Sequence, residues 1–313
     1  MEEELIISGR MNEKIDPVLH IWGWEIAFYL FVGGLTAGIL FFASFYYLNG
    51  KEKEYPATVK WAPMITPFLL ILGLGALFLD LHHKLYFWRL YTNIRLESPM
   101  SWGAWTLMVV TPLSIIWSAT YVREVFPWWD WKFKILNQLE AFFIKHRKTL
   151  AWIMVFYSVI LGIYTGVLLS AFNARPLWNT SILGPLFLAS GLSAGAAVIV
   201  AFSKNKLERN LLSKIDLIVI GAELFLIIHL FMGLLASTEV QIEAAHLFLG
   251  GRYTLPFWIF VVFIGMIIPA ILEFLELRGQ KIPVAIPVIL ILFGNIMLRF
   301  IIVYAGQASR YLY

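Results

Sequence analysis

Apolar residues fall in eight long runs, roughly 20–48, 61–81, 102–121, 149–171, 182–203, 215–237, 255–276 and 284–305, separated by short polar connections. A helix needs about 20 mostly apolar residues to cross the hydrocarbon core of a bilayer. Each run meets that length, so the pattern predicts an all-α membrane protein with eight transmembrane helices. Between the third and fourth runs, Pro127, Trp128, Trp129 and Trp131 open a polar stretch in which 133–146 reads as a short amphipathic helix at the membrane surface. No Gly/Ser linker or low-complexity tract divides the chain.

Composition sharpens this reading. Of 313 residues, 60% are hydrophobic and 14% charged, against about 25% charged in soluble domains. The absence of cysteine excludes disulfides, thiolate-held iron–sulfur clusters and c-type haem attachment within this chain. The acidic N-terminal stretch MEEELIISGRMNEKIDP does not read as a cleavable signal. A net charge of +4 gives no expectation of a nucleic-acid partner; its distribution matters more. Of 24 lysines and arginines, 15 lie in loops that follow the odd-numbered runs. Cytoplasmic loops carry the excess of basic residues, so both termini are expected on the outer, periplasmic side of the inner membrane. The 82–101 loop and the turn containing Arg175 are expected there too.

The two halves repeat. GGLTAG at 33–38 returns as SGLSAG at 190–195, GALFLDLHH at 75–83 as GAELFLIIH at 221–229, and IYTG at 163–166 as VYAG at 303–306. The consistent order predicts two tandem four-helix bundles, 1–176 and 177–313, in parallel orientation. Gly34 with Gly38, and Gly191 with Gly195, have the small-xxx-small spacing that lets helices approach closely.

Ionisable groups inside a bilayer ask for a partner or a function. Glu25 and Tyr29 are spaced i, i+4 and share one face near the outer surface. Asp80, His82 and His83 end the second run at the same level, and Tyr164 lies about 10 Å beneath the turn that holds Arg175. These residues predict an outward-opening pocket of carboxylates, imidazole and phenols. Such a pocket suits a quinone, whose two carbonyl oxygens need hydrogen-bond partners and groups that exchange protons. Menaquinone and ubiquinone both remain open. Asp80 and His83 are the candidate proton-exchanging groups, with Glu25, Tyr29 and Tyr164 holding the ligand. The plain alternative for Glu25 is an interfacial pair with His20 or Arg95. Deeper in the second half, Glu223 and His229 predict a proton path, with Arg299 as the structural partner for Glu223. Their spacing of six requires bridging water.

Haem is disfavoured: of six histidines only His229 lies well inside a run, and none matches its depth. No metal site is expected. A secondary transporter fits the duplication, but transporter repeats commonly break their helices at mid-membrane, whereas most prolines here sit near helix starts. A purely structural membrane anchor is the third reading.

YLFVGGLTAG in the first run, LDL and FWRL within 79–90, SPMSWGAW at 98–105, NARPLWNTSILGPLFLASGLSAG at 173–195 and RFIIVYAGQ at 299–307 together resemble the NrfD/polysulfide-reductase membrane-subunit family. The resemblance implies an eight-helix, quinone-reactive subunit that binds no haem or iron–sulfur cluster of its own. It implies a ferredoxin-like iron–sulfur partner on the outer face, connected to a catalytic, often molybdopterin, subunit. Such a membrane protein performs the quinone half-reaction of a respiratory oxidoreductase. The family's pocket lies in the first four helices, and Asp80, Arg175, Trp178 and Tyr164 are the positions that carry over. Two departures stand out. His82, His83 and Lys84 occupy the place of a common Gly-Arg-Pro, and Glu25 and Tyr29 occupy the face where some members carry Asn and His.

Overall fold

The computed structural model describes residues 22–309. Eight of its helices are long and apolar enough to cross a membrane: α1 Trp24–Leu48, α2 Ala57–Asp80, α3 Pro99–Val125, α4 Arg147–Ser170, α5 Leu183–Phe202, α6 Lys206–Leu235, α7 Pro256–Leu277 and α8 Ala285–Ala308. The described residues contain no strand; the chain is a multi-pass helical membrane protein. His20 and the acidic N-terminal stretch lie outside the described residues. Each predicted run holds one helix. The start of α6 differs most, because its charged first turns are not apolar yet are well held. The Asn205 side chain accepts from the Leu207 N–H at 3.0 Å, a normal N-cap. The amphipathic helix expected over 133–146 forms at Lys134–Lys145 and leaves Ile135, Leu139 and Phe142 exposed.

Helices α1 and α5 occupy the centre. α1 packs against α2, α4, α5 and α8, and α5 packs against α1, α4, α6 and α8. Being apolar on every side, α1 suits full burial. The two central helices touch backbone to backbone. A Cβ on Gly38 would stand 2.1 Å from the Gly191 carbonyl oxygen, and one on Gly191 would stand 2.6 Å from that of Gly34. No side chain fits there, which is what the small-residue spacing anticipates. Helix α7 begins as a wide π-helix over Pro256–Ile267. It returns to α geometry beside Pro269, whose missing N–H removes one rung of the ladder in any case.

One end of the bundle is tied by charge. Lys60 Nζ lies 2.6 Å from Glu124 and 3.4 Å from Glu52. Arg147 joins Glu124 at 3.1 Å and stands 3.9 Å over the Tyr121 ring. Buried Glu208 accepts from both the Thr58 N–H and hydroxyl at 2.7 Å and from Ser203 at 2.8 Å, which joins the start of α2 to the start of α6. The opposite end is the one that opens.

Candidate functional site

At that open end a cavity of about 180 Å³ lies between the start of α1, the end of α2, the start of α3 and the end of α4. Tyr29, Asp80 and Tyr164 line it, together with Trp22, Tyr91 and Gly103. Three of the side chains singled out in the sequence therefore meet in one hollow with otherwise apolar walls. The Tyr29 phenol lies near those of Tyr164 and Tyr91, and the Asp80 carboxyl near that of Glu25. Glu25 itself is not part of the wall. Its carboxylate folds back beside Gly23, where a Cβ would meet it at 2.2 Å. One glycine, Gly103, makes the room for a phenol, while Gly73 leaves ordinary contact distance beside the other. A Cβ on Gly103 would stand 2.0 Å from the Tyr164 hydroxyl, and one on Gly73 would stand 3.6 Å from the Tyr29 ring. Sequence reading passed over Gly103, although it lies inside the SPMSWGAW motif. Tyr91 was passed over as well. It comes from the connection between α2 and α3, and burial pushes its phenol up, so it stays a hydrogen-bond donor across the physiological range.

Arg175 and Trp178 stand behind this wall. Arg175 Nη1 donates to the backbone carbonyls of Gln307 at 2.9 Å and Ser309 at 3.1 Å. Trp178 is buried, and its indole N–H donates to the Ile302 carbonyl at 2.9 Å. Its ring lies 5.3 Å from that of Trp22. Gln307 in turn exchanges two 2.9 Å hydrogen bonds with the Trp22 backbone. The turn after α4 thus clasps the end of α8 and presses Trp22 into place. Neither Arg175 nor Trp178 lines the cavity.

His83 is also outside it. With His82, Arg89 and Arg95 it lines a second, more open hollow of about 480 Å³, which shares Leu81, Leu90 and Met100 with the first.

In the second half, Glu223 is buried near Arg299 and the Ser190 hydroxyl. Arg299 donates to the Phe187 carbonyl at 3.0 Å and to Ser190, and stands 4.2 Å over the Phe187 ring. The structure adds two buried carboxylates that the sequence reading did not select. Asp216 lies beside Ser193, and Glu273 beside Ser213, close enough to Asp216 for their charges to interact. Oxygens on Asp216, Glu223 and Glu273 find no hydrogen-bond partner among the described residues. His229 does not join them. Six residues carry it about 240° around α6 from Glu223, where it is exposed on the bundle surface and stacks on Phe225 with centroids 5.8 Å apart.

The family model described as Polysulphide reductase, NrfD matches residues 10–309. The protein named NrfD of Escherichia coli K12 is 31% identical over 306 residues, covering 92% of this chain and 96% of its own. A polysulfide reductase chain from Wolinella succinogenes is 32% identical, covering 92% and 94%. A selenate reductase subunit from Mesobacillus selenatarsenatis is more distant, at 22% identity over 90% and 73%.

Proposed function

Since the chain belongs to the polysulphide reductase NrfD family, we propose that it is the quinone-reactive membrane subunit of a respiratory reductase complex. It passes electrons between membrane quinone and an iron–sulfur partner, which connects to a catalytic subunit of molybdopterin type. The single observation that carries this reading is the convergence of Tyr29, Asp80 and Tyr164 on one small hollow at the end of four helices. Phenols supply donors for a carbonyl oxygen, and a carboxylate at the mouth takes up or releases the proton that accompanies each electron. The apolar walls exclude water and accept the flat ring. Glu25, beside Asp80, extends the proton route toward the surface. Arg175 and Trp178 act by holding Trp22, and His83 acts in the outer hollow that faces the partner.

The contact pattern supports two tandem bundles, since α1 meets α2 and α4 as α5 meets α6 and α8. The basic loops favour both termini outside, in the inner membrane, with the pocket facing the partner. Glu223 starts a polar route through the second bundle, and Asp216 and Glu273 continue it toward the end that carries Lys206 and Arg278. Arg299 ends it beside Gly34, where a Cβ would stand 3.1 Å from the guanidinium. His229 plays no part in it.

The test is quinone-linked turnover of the assembled complex. Tyr164→Phe and Asp80→Asn should each abolish it while leaving the subunit in place. Full activity in both variants would remove the pocket from the mechanism.

A further inference from the structure

An elongated groove of about 600 Å³ runs between α2 and α3 on the far side of the bundle from the quinone pocket, at the end tied by Lys60 and Arg147. Trp61, Phe68, Ile115, Val122, Trp128 and Trp129 are among its walls. The Ser118 hydroxyl in it already donates to the Pro63 carbonyl at 3.2 Å. Apart from the indoles of its rim, the groove offers no free polar side chain, and its lining suits a hydrocarbon tail. Its aromatic rim is continuous: Trp61, Phe126, Trp128, Trp129 and Trp131 follow one another with ring centroids 5.4–6.3 Å apart. Tryptophans gather at the level of the lipid headgroups.

The rim leads into a smaller hollow of about 370 Å³ that shares the three loop tryptophans and adds Asp130 and Lys132. Here the charges are unbalanced. Asp130 is engaged by Arg123 at 3.3 Å and buried Glu140 by the same guanidinium at 3.1 Å. Lys132 and Lys134 are exposed and form no ion pair among the described residues. Trp131 Nε1, enclosed at the junction of the two hollows, finds no acceptor among the described residues. The exposed apolar side of Lys134–Lys145 lies next to this corner. An apolar trough that ends at the unpaired Lys132, with exposed Lys134 two residues further on, has the polarity of a phospholipid, tail first and anionic head last.

We propose that this groove is a binding site for an anionic phospholipid, with one acyl tail between α2 and α3 and the phosphate at Lys132 and Lys134. The site is independent of the quinone reading. Only the assignment to the inner leaflet rests on the orientation proposed above. A bound lipid here would splint the α2–α3 pair whose other ends form the quinone pocket.

The experiment places the full-length protein in nanodiscs of equal phosphatidylglycerol and phosphatidylethanolamine with matched acyl tails, and reads the retained lipids by native mass spectrometry. Preferential retention of phosphatidylglycerol is expected. Lys132→Gln with Lys134→Gln, both on the surface, should reduce that preference roughly tenfold. Ala119→Phe, with Ile115→Trp as a second way of filling the groove, should lose both lipids while a thermal melt like that of the unchanged protein confirms folding. Equal retention of the two lipids, an unchanged preference in the lysine variant, undiminished retention in folded groove-filled variants, or a retained quinone in place of lipid would each overturn the proposal. Labelling of a Lys132→Cys variant by an impermeant maleimide from the outer side would move the site to the other leaflet and leave the lipid assignment intact.

Discussion

Gly103 decides where the Tyr164 phenol can stand, because any Cβ at that position overlaps the ring. Gly103→Ala should therefore push the hydroxyl aside by about an ångström and lower quinone-linked turnover about a hundredfold, with the variant still assembled. Turnover within a factor of two of the unchanged protein would show that the phenol's position is immaterial. Arg175 and Trp178 should behave differently. Trp178→Ala removes a buried ring from behind Trp22 and should cost about 3–5 kcal/mol of stability, seen as a lowered thermal midpoint. Arg175→Ala releases two carbonyls at the end of α8 and should cost about 1–3 kcal/mol. Tyr29, Asp80 and Tyr164 were legible in the sequence because acids and phenols stand out within apolar runs and helical rise fixes their depth. The clasp was not legible, since its acceptors are backbone carbonyls over a hundred positions away. Gly103 was invisible because its contribution is an empty volume.

At the level of the helices, the crossing of α1 and α5 is the most sensitive contact. Gly191→Ala would force the two backbones apart, and overpacking of this kind costs about 1–3 kcal/mol. A lowered melting temperature in detergent is the expected reading, and Gly50→Ala at an exposed turn makes a poor comparison because its φ of 72° is itself strained for alanine. Gly75→Ala, with open space around it, is the proper control and should leave the midpoint within experimental scatter. The eight helices were readable because a membrane permits few alternatives to a continuous apolar helix. Their ends were less so. The first turns of α6 are charged, and what keeps them helical is the Asn205 cap together with the burial of Glu208 against Thr58, a contact 150 positions distant.

Taken whole, the molecule separates an open end with the phenol-lined hollow from an end rich in fixed charge. The orientation can be checked because the protein has no cysteine: Asn173→Cys should label from outside, and Lys206→Cys only after the membrane is breached. The reverse pattern would invert the topology. Asp216, Glu223 and Glu273, the buried carboxylates with unpartnered oxygens among the described residues of the second bundle, give a separate expectation. Asp216→Asn and Glu273→Gln should leave electron transfer to quinone within about twofold, yet abolish any proton uptake from the side that carries Lys206. Uptake that persists in both would assign these acids to packing. Finally, the paired hydrogen bonds between Trp22 and Gln307 span 285 positions, so one wall of the hollow is fastened by a helix synthesised long after the wall itself. A nascent polypeptide halted before α8 would have its phenols inserted but no firm wall beside them.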